Sequence, residues 1–226
     1  DSAPPSVDAD DNIRQLIHEL RSPLNAISGF AQIISGEMFG PVSGQFRDLA
    51  NTIIDDAASV QAIIEDLDSA TGDGVRARSA VDPADVSDIS DVIDYVVNDL
   101  RMLLSEQCVG LSVTREGGPF LARGDDANAR RMIGRLLTAL IDVSEPDSLI
   151  VGQLTADLTQ DDRVQLRFVR PSAIRFADAD ELLDPDYSPD GDAPGADILS
   201  LGFSLRLVGS LASASGGRLE IAPNAI

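Results

Sequence analysis

Lysine is missing from all 226 residues, and the 17 basic side chains are without exception arginines. Any mechanism that needs a lysine ammonium at a phosphate is therefore excluded within this chain. Positive charge is scarce as well: 38 acidic residues give a formal net charge of -21. That balance excludes a nucleic-acid-binding surface, which needs clustered Arg and Lys against phosphates. A single cysteine, Cys108, rules out an internal disulfide framework and suits a reducing, cytoplasmic compartment. It is expected as a buried, inert thiol. No apolar run approaches the roughly 20 residues of a membrane span, and the N-terminus lacks the basic start and apolar centre of a signal peptide. Any membrane segment would lie outside this stretch.

What is present is apolar periodicity. The chain is 43% hydrophobic, enough for packed cores. Residues 1–9, Pro- and Ser-containing, read as a linker. From there Ile13, Ile17, Leu20, Leu24, Ile27, Ala31 and Ile34 recur at steps of four and three, one apolar seam along a coiled-coil-like helix. After a turn-rich connection, Phe46, Ala50, Ile53, Ala57, Val60, Ile64 and Leu67 repeat the stepping. Two single-seam helices bury too little surface alone. An antiparallel hairpin over residues 10–70 is therefore expected to pair with a second copy as a homodimeric four-helix bundle. Residues 71–81 read as an interdomain linker. Residues 82–226 interleave helices and strands, which predicts a two-layer α/β domain. Its expected elements are helices over 86–106, 127–142 and 202–214, and strands around Val109–Val113, Leu149–Leu154, Val164–Val169 and Leu219–Ile221.

The chemically informative segment is His18-Glu19-Leu20-Arg21-Ser22-Pro23-Leu24-Asn25. His18 follows a seam position by about a third of a turn, and Ser22 lies four residues on, so both share one helix face. A neutral imidazole there can attack phosphorus, Glu19 can orient the ring or take its proton, and Ser22 can position a water. Pro23 cannot donate to the carbonyl of Glu19 and should bend the helix beside His18. This segment resembles the H-box of the dimerisation and phosphotransfer domain of two-component sensor histidine kinases, usually His-Glu-x-Arg-Thr-Pro-Leu. Only Ser22 departs, and it keeps the hydroxyl. The resemblance implies that His18 is the phosphoacceptor and that the aspartate of a response-regulator receiver domain is its partner. It makes Arg14, Arg21 and Asn25 candidate receiver contacts.

The second domain resembles the same family's ATP-binding domain in order and length, but its nucleotide boxes are degenerate. Arg135 and Ala139 stand where the resemblance implies two asparagines holding magnesium and triphosphate, and Asp142 stands in place of a lysine. Arg170 replaces the aspartate that would accept from adenine. Of the second glycine box only Gly202 remains, and Ser200 fits an ordinary helix N-cap equally well. The intervening loop carries eight carboxylates, from Asp178 to Asp197. It reads as solvated and mobile rather than as an EF-hand, and no metal site is expected.

The family's chain usually continues into another strand past Asn224-Ala-Ile226, so a truncated or shortened domain is expected. Together these features imply a transmitter in which His18 exchanges phosphate with a receiver aspartate, with ATP binding lost or weakened. One alternative is an ATP- and magnesium-dependent autokinase in which Asn128, Arg131 and Arg135, with Gly202, hold the nucleotide. The other is a dimeric pseudokinase scaffold.

Overall fold

A computed structural model describes residues 6–70, 86–157, 163–189 and 200–226; the side chains of 6–16, 18, 55, 59, 66–70 and 157 lie outside the described set. The linker expected over 71–81 falls outside it too. The chain divides into two compact units between Ser79 and Ala80.

The first unit is a helical hairpin. Helix α1 spans Ser6–Ser35 and continues as one helix through Pro23; α2 spans Gly44–Ala70. At the turn end Ser35 Oγ donates to Asn51 Oδ1 at 2.6 Å, and Arg47 Nη2 pairs with Glu37 at 2.7 Å. The apolar seam splits into two rows, each stepping by seven. Ile17 and Ala31 of α1 and Ala50, Ala57 and Ile64 of α2 are buried, with Leu24 half-buried between them. These close the hairpin on itself. The intervening row, Leu20, Ile27 and Ile34 with Phe46 and Ile53, remains 42–63% exposed. A heptad pattern thus supplies two faces, one sealed within the chain and one facing outward.

The second unit is α/β. Strand β1 (Val86–Asp88) pairs antiparallel with β3 (Leu121–Arg123). Strand β2 (Gly110–Glu116) runs parallel to β4 (Leu149–Asp157), which pairs antiparallel with β5 (Arg163–Phe168), giving the order β2-β4-β5. Along β4, Ile150, Gly152 and Leu154 are buried while Leu149 and Val151 are exposed, the period-two pattern of a sheet covered on one face. Helices α3 (Ile89–Asp99), α5 (Asp126–Asp142) and α7 (Leu201–Ala214) bring Val92, Ile93, Leu137, Leu140 and Leu205 into one core with Leu154 and Phe168. Gly152 leaves room for the Phe168 ring; a Cβ there would stand 2.6 Å from Phe168 Cε1. Two short helices complete the unit, α4 (Arg101–Glu106) and α6 (Ala179–Leu182).

Several expectations need correction. The stretch expected as one helix over 86–106 opens as β1, because Val86–Asp88 finds a partner in β3, and it breaks again at Leu100 between α3 and α4. The expected strand at Leu219–Ile221 reduces to single bridges, Ala222 to Ala225 and Val169 to Ala225. Cys108 is exposed, at φ 54° in the turn leading into β2, a left-handed position that holds its side chain outside the core. The acidic loop is partly built: Asp178 accepts from Glu181 N-H at 2.8 Å as N-cap of α6, and Asp184 accepts from Asp186 N-H at 3.0 Å. Its Asp190, Asp192 and Asp197 lie outside the described residues.

Candidate functional site

Helix α1 carries the H-box residues, with the buried Ile17 fixing the helix face that turns inward. His18 and Arg14 lie on α1 with side chains outside the described set. Helical spacing places 14, 18, 21, 22 and 25 along one stripe beside the sealed seam. Ser22 and Asn25 on that stripe are exposed, as is Glu19, and Arg21 is half-buried. Glu19 and Arg21 are each engaged with a neighbour. The stripe thus offers a hydroxyl, an amide and a guanidinium to whatever approaches that side of the helix, with the Glu19 carboxylate about a third of a turn from position 18.

The candidate nucleotide residues of the second unit are arranged differently. Asn128, in the first turn of α5, is buried; its amide donates to Ser215 Oγ and, at 3.5 Å, to the Leu211 carbonyl, while its Oδ1 has no hydrogen-bond partner. Ser215 Oγ in turn donates to the Leu211 carbonyl at 3.2 Å, so Asn128 ties α5 to the C-terminal end of α7. Arg131 and Arg135 are half-buried and engaged with neighbours. Arg170 is 96% buried (4% exposed): Nη1 donates to the Ala177 carbonyl at 2.6 Å and Nε is without a partner. Ala139 is buried and offers no polar atom.

Gly202 is buried at the start of α7, its N-H donating to the Tyr187 carbonyl at 3.2 Å. Ser200 is the N-cap, accepting from Phe203 N-H at 3.1 Å. Among the described residues no group of three or more His, Cys, Asp or Glu could hold a metal, and no helix is long and apolar enough to cross a membrane.

Sequence reasoning named Arg170 and Gly202 but missed where they point. It also missed the Asn128–Ser215 link, which joins residues 87 apart. No local pattern announces such a pair. Only a buried amide three residues past the helix N-cap, Asp125, hints that something must receive it.

Residues 10–74 match the model of the His Kinase A (phospho-acceptor) domain. Over 55 residues the chain is 38% identical to the histidine protein kinase DivJ of Caulobacter vibrioides, covering 24% of this chain and 9% of that protein. It is 39% identical over 56 residues to the non-motile and phage-resistance protein of the same organism, covering 24% of this chain and 7% of the relative. The cell-division control histidine kinase PdhS of Brucella abortus is 38% identical over 56 residues, 24% of this chain and 5% of PdhS. The chain thus spans less than a tenth of each of these relatives. Its fold resembles the crystal structure of full-length ShkA in complex with AMPPNP, with a TM-score of 0.62 at 17% identity over 95% of this chain and 44% of that one. Residues 10–74 thus belong to the His Kinase A phospho-acceptor domain family, and the mixed α/β unit that follows is similar in fold to the one seen in that histidine kinase structure.

Proposed function

We propose that this chain passes phosphoryl groups between His18 and the aspartate of a response-regulator receiver domain, as a cytoplasmic homodimer whose ATP binding is lost or weakened. The observation that carries the phosphotransfer reading is that His18 lies inside the matched phospho-acceptor residues, on a stripe whose Ser22 and Asn25 are accessible, next in the chain to the accessible Glu19. In this reading an imidazole nitrogen attacks the phosphorus of an aspartyl phosphate. The P–O bond to the aspartate breaks, the carboxylate leaves, and Glu19 takes the ring proton. In reverse, a receiver carboxylate attacks phosphohistidine, the P–N bond breaks and the proton returns to the ring. Ser22 aligns a water for hydrolysis. Arg21 faces the transferred group, with Arg14 and Asn25 as flanking receiver contacts. The dimer is supported by the exposed outer row of the seam, which a second hairpin would cover.

The weakened nucleotide site rests on chemistry. Where a base would need a carboxylate acceptor, Arg170 is a donor turned into the core. Ala139 and Asp142 offer neither amide nor cation to a triphosphate. Residues so placed do not fit a magnesium nucleotide. A second reading, an ATP-dependent autokinase, is favoured by the fold likeness to ShkA, which was crystallised with AMPPNP. One experiment separates the two. Purified protein receives labelled ATP with magnesium or, separately, a labelled phospho-receiver, each beside His18→Ala. Label from the receiver alone, absent in the variant, is expected; label from ATP that the variant loses would establish the autokinase instead.

A further inference from the structure

The first N-H groups of a helix have no carbonyl within the helix to meet, which makes a helix start receptive to anions. At α7 the chain itself meets two of these groups, the N-H of Gly202 and that of Phe203. Phe203 N-H donates to Ser200 Oγ at 3.1 Å, just ahead of the first intrahelical bond, from Ser204 N-H to the Ser200 carbonyl at 3.1 Å. Gly202 N-H donates to the Tyr187 carbonyl at 3.2 Å. The Ser200 hydroxyl donates to the Pro185 carbonyl, and Arg206 Nε donates to the Leu183 carbonyl. The segment supplying these carbonyls is anchored by the fully buried Leu182 and folded by Tyr187 N-H donating to the Asp184 carbonyl at 3.0 Å. It lies so close that a Cβ on Gly202 would run into the Asp184 carbonyl oxygen.

We propose that Leu182–Tyr187 is an intramolecular strap that closes the start of α7 to phosphate, its carbonyls taking the acceptor role that phosphate oxygens would otherwise take. The inference rests on the reading above that nucleotide binding is weakened, and supplies a cause for it. Two side-chain donors, Ser200 and Arg206, latch the strap, and Gly202 makes its approach possible. The carboxylates of Asp184 and Asp186 on the strap suit the positive end of α7 and oppose an incoming phosphate.

The test uses the whole chain, Ser200→Gly combined with Arg206→Ala, and separately Gly202→Ala. Glycine remains a serviceable N-cap, so the first variant loosens the strap with little harm to α7. Hydrogen exchange in peptides covering 182–187 should quicken on the order of tenfold in both variants, while α5 peptides keep their wild-type protection. Calorimetric titration with magnesium tripolyphosphate should give no saturable binding to wild type and saturable binding to the double variant. Wild-type binding of tripolyphosphate, or a freed strap without gained binding, would overturn the inference. Should the double variant lose α5 protection and so fail to fold, Gly202→Ala decides by the same two readouts. Phosphorylation of wild-type His18 from ATP would instead sink the functional reading, leaving the strap to be judged by exchange and tripolyphosphate alone.

Discussion

At the scale of single residues, Gly152 and Phe168 show how little side-chain volume the sheet can spare. Adding a methyl at Gly152 forces it against the Phe168 ring, and Val113 Cγ2 stands 3.2 Å away on the other side. Gly152→Ala should therefore destabilise the α/β unit by about 1–3 kcal/mol, as overpacking does. Urea unfolding followed by tyrosine fluorescence reads this unit alone, because the only two tyrosines, Tyr95 and Tyr187, both lie in it. Tyr187 also carries a pH signature. Burial first, and the Glu181 carboxylate second, push its phenol above the ordinary value of 10.0. A raised folded value means that the group's stabilising contribution is present below pH 10 and lost as pH climbs through the folded value. Ultraviolet titration should show one phenol ionising late, and Tyr187→Phe should remove that late component.

At the scale of elements, the hairpin was the most legible part of the chain, because steps of three and four survive any detail of packing. What periodicity could not disclose was its division of labour. Ile17 and Leu20 look equivalent in sequence, yet one is buried and the other 55% exposed. The outer row predicts a clear phenotype. Ile27→Asp places a carboxylate where a second hairpin would bury it, and should raise the dimer dissociation constant at least ~100-fold while leaving helicity unchanged. Sedimentation velocity and circular dichroism check the two halves of that statement.

Short elements were much less legible. Three-residue β1 exists because β3 lies beside it, a pairing that joins residues 86–88 to 121–123 and leaves no local trace. The expected strand at 219–221 has the right alternation, but among the described residues no strand runs alongside it. Alternation alone does not form a strand. Cys108 was misplaced because hydrophobic character suggests a core, whereas its left-handed backbone puts it in a turn. Which residues share one stripe on α1 is readable because helical spacing is local. The strap on α7 was not, because its contacts are made by backbone carbonyls, which no residue type advertises.

At the scale of the whole molecule, charge is the governing quantity. A chain of net charge -21 doubles that charge when two copies meet, and screening matters because the Debye length shrinks from about 30 Å at 0.01 M salt to about 8 Å at 0.15 M. Dimer affinity should accordingly rise with ionic strength, the reverse of an association held by ion pairs, and sedimentation across a salt series reads the sign directly. The same charge should keep the protein from being retained on immobilised heparin.

The split seam also separates two events by their kinetic order. Closure of the inner row is unimolecular, so its equilibrium does not depend on chain concentration. In the proposed homodimer, covering of the outer row is bimolecular, so its extent follows the square of free-chain concentration. Subunits built this way can trade partners without unfolding, and a mixture of labelled and unlabelled chains would equilibrate at a rate that Leu20, Ile27 and Ile34 set, whatever holds Ile17 and Ala31 together.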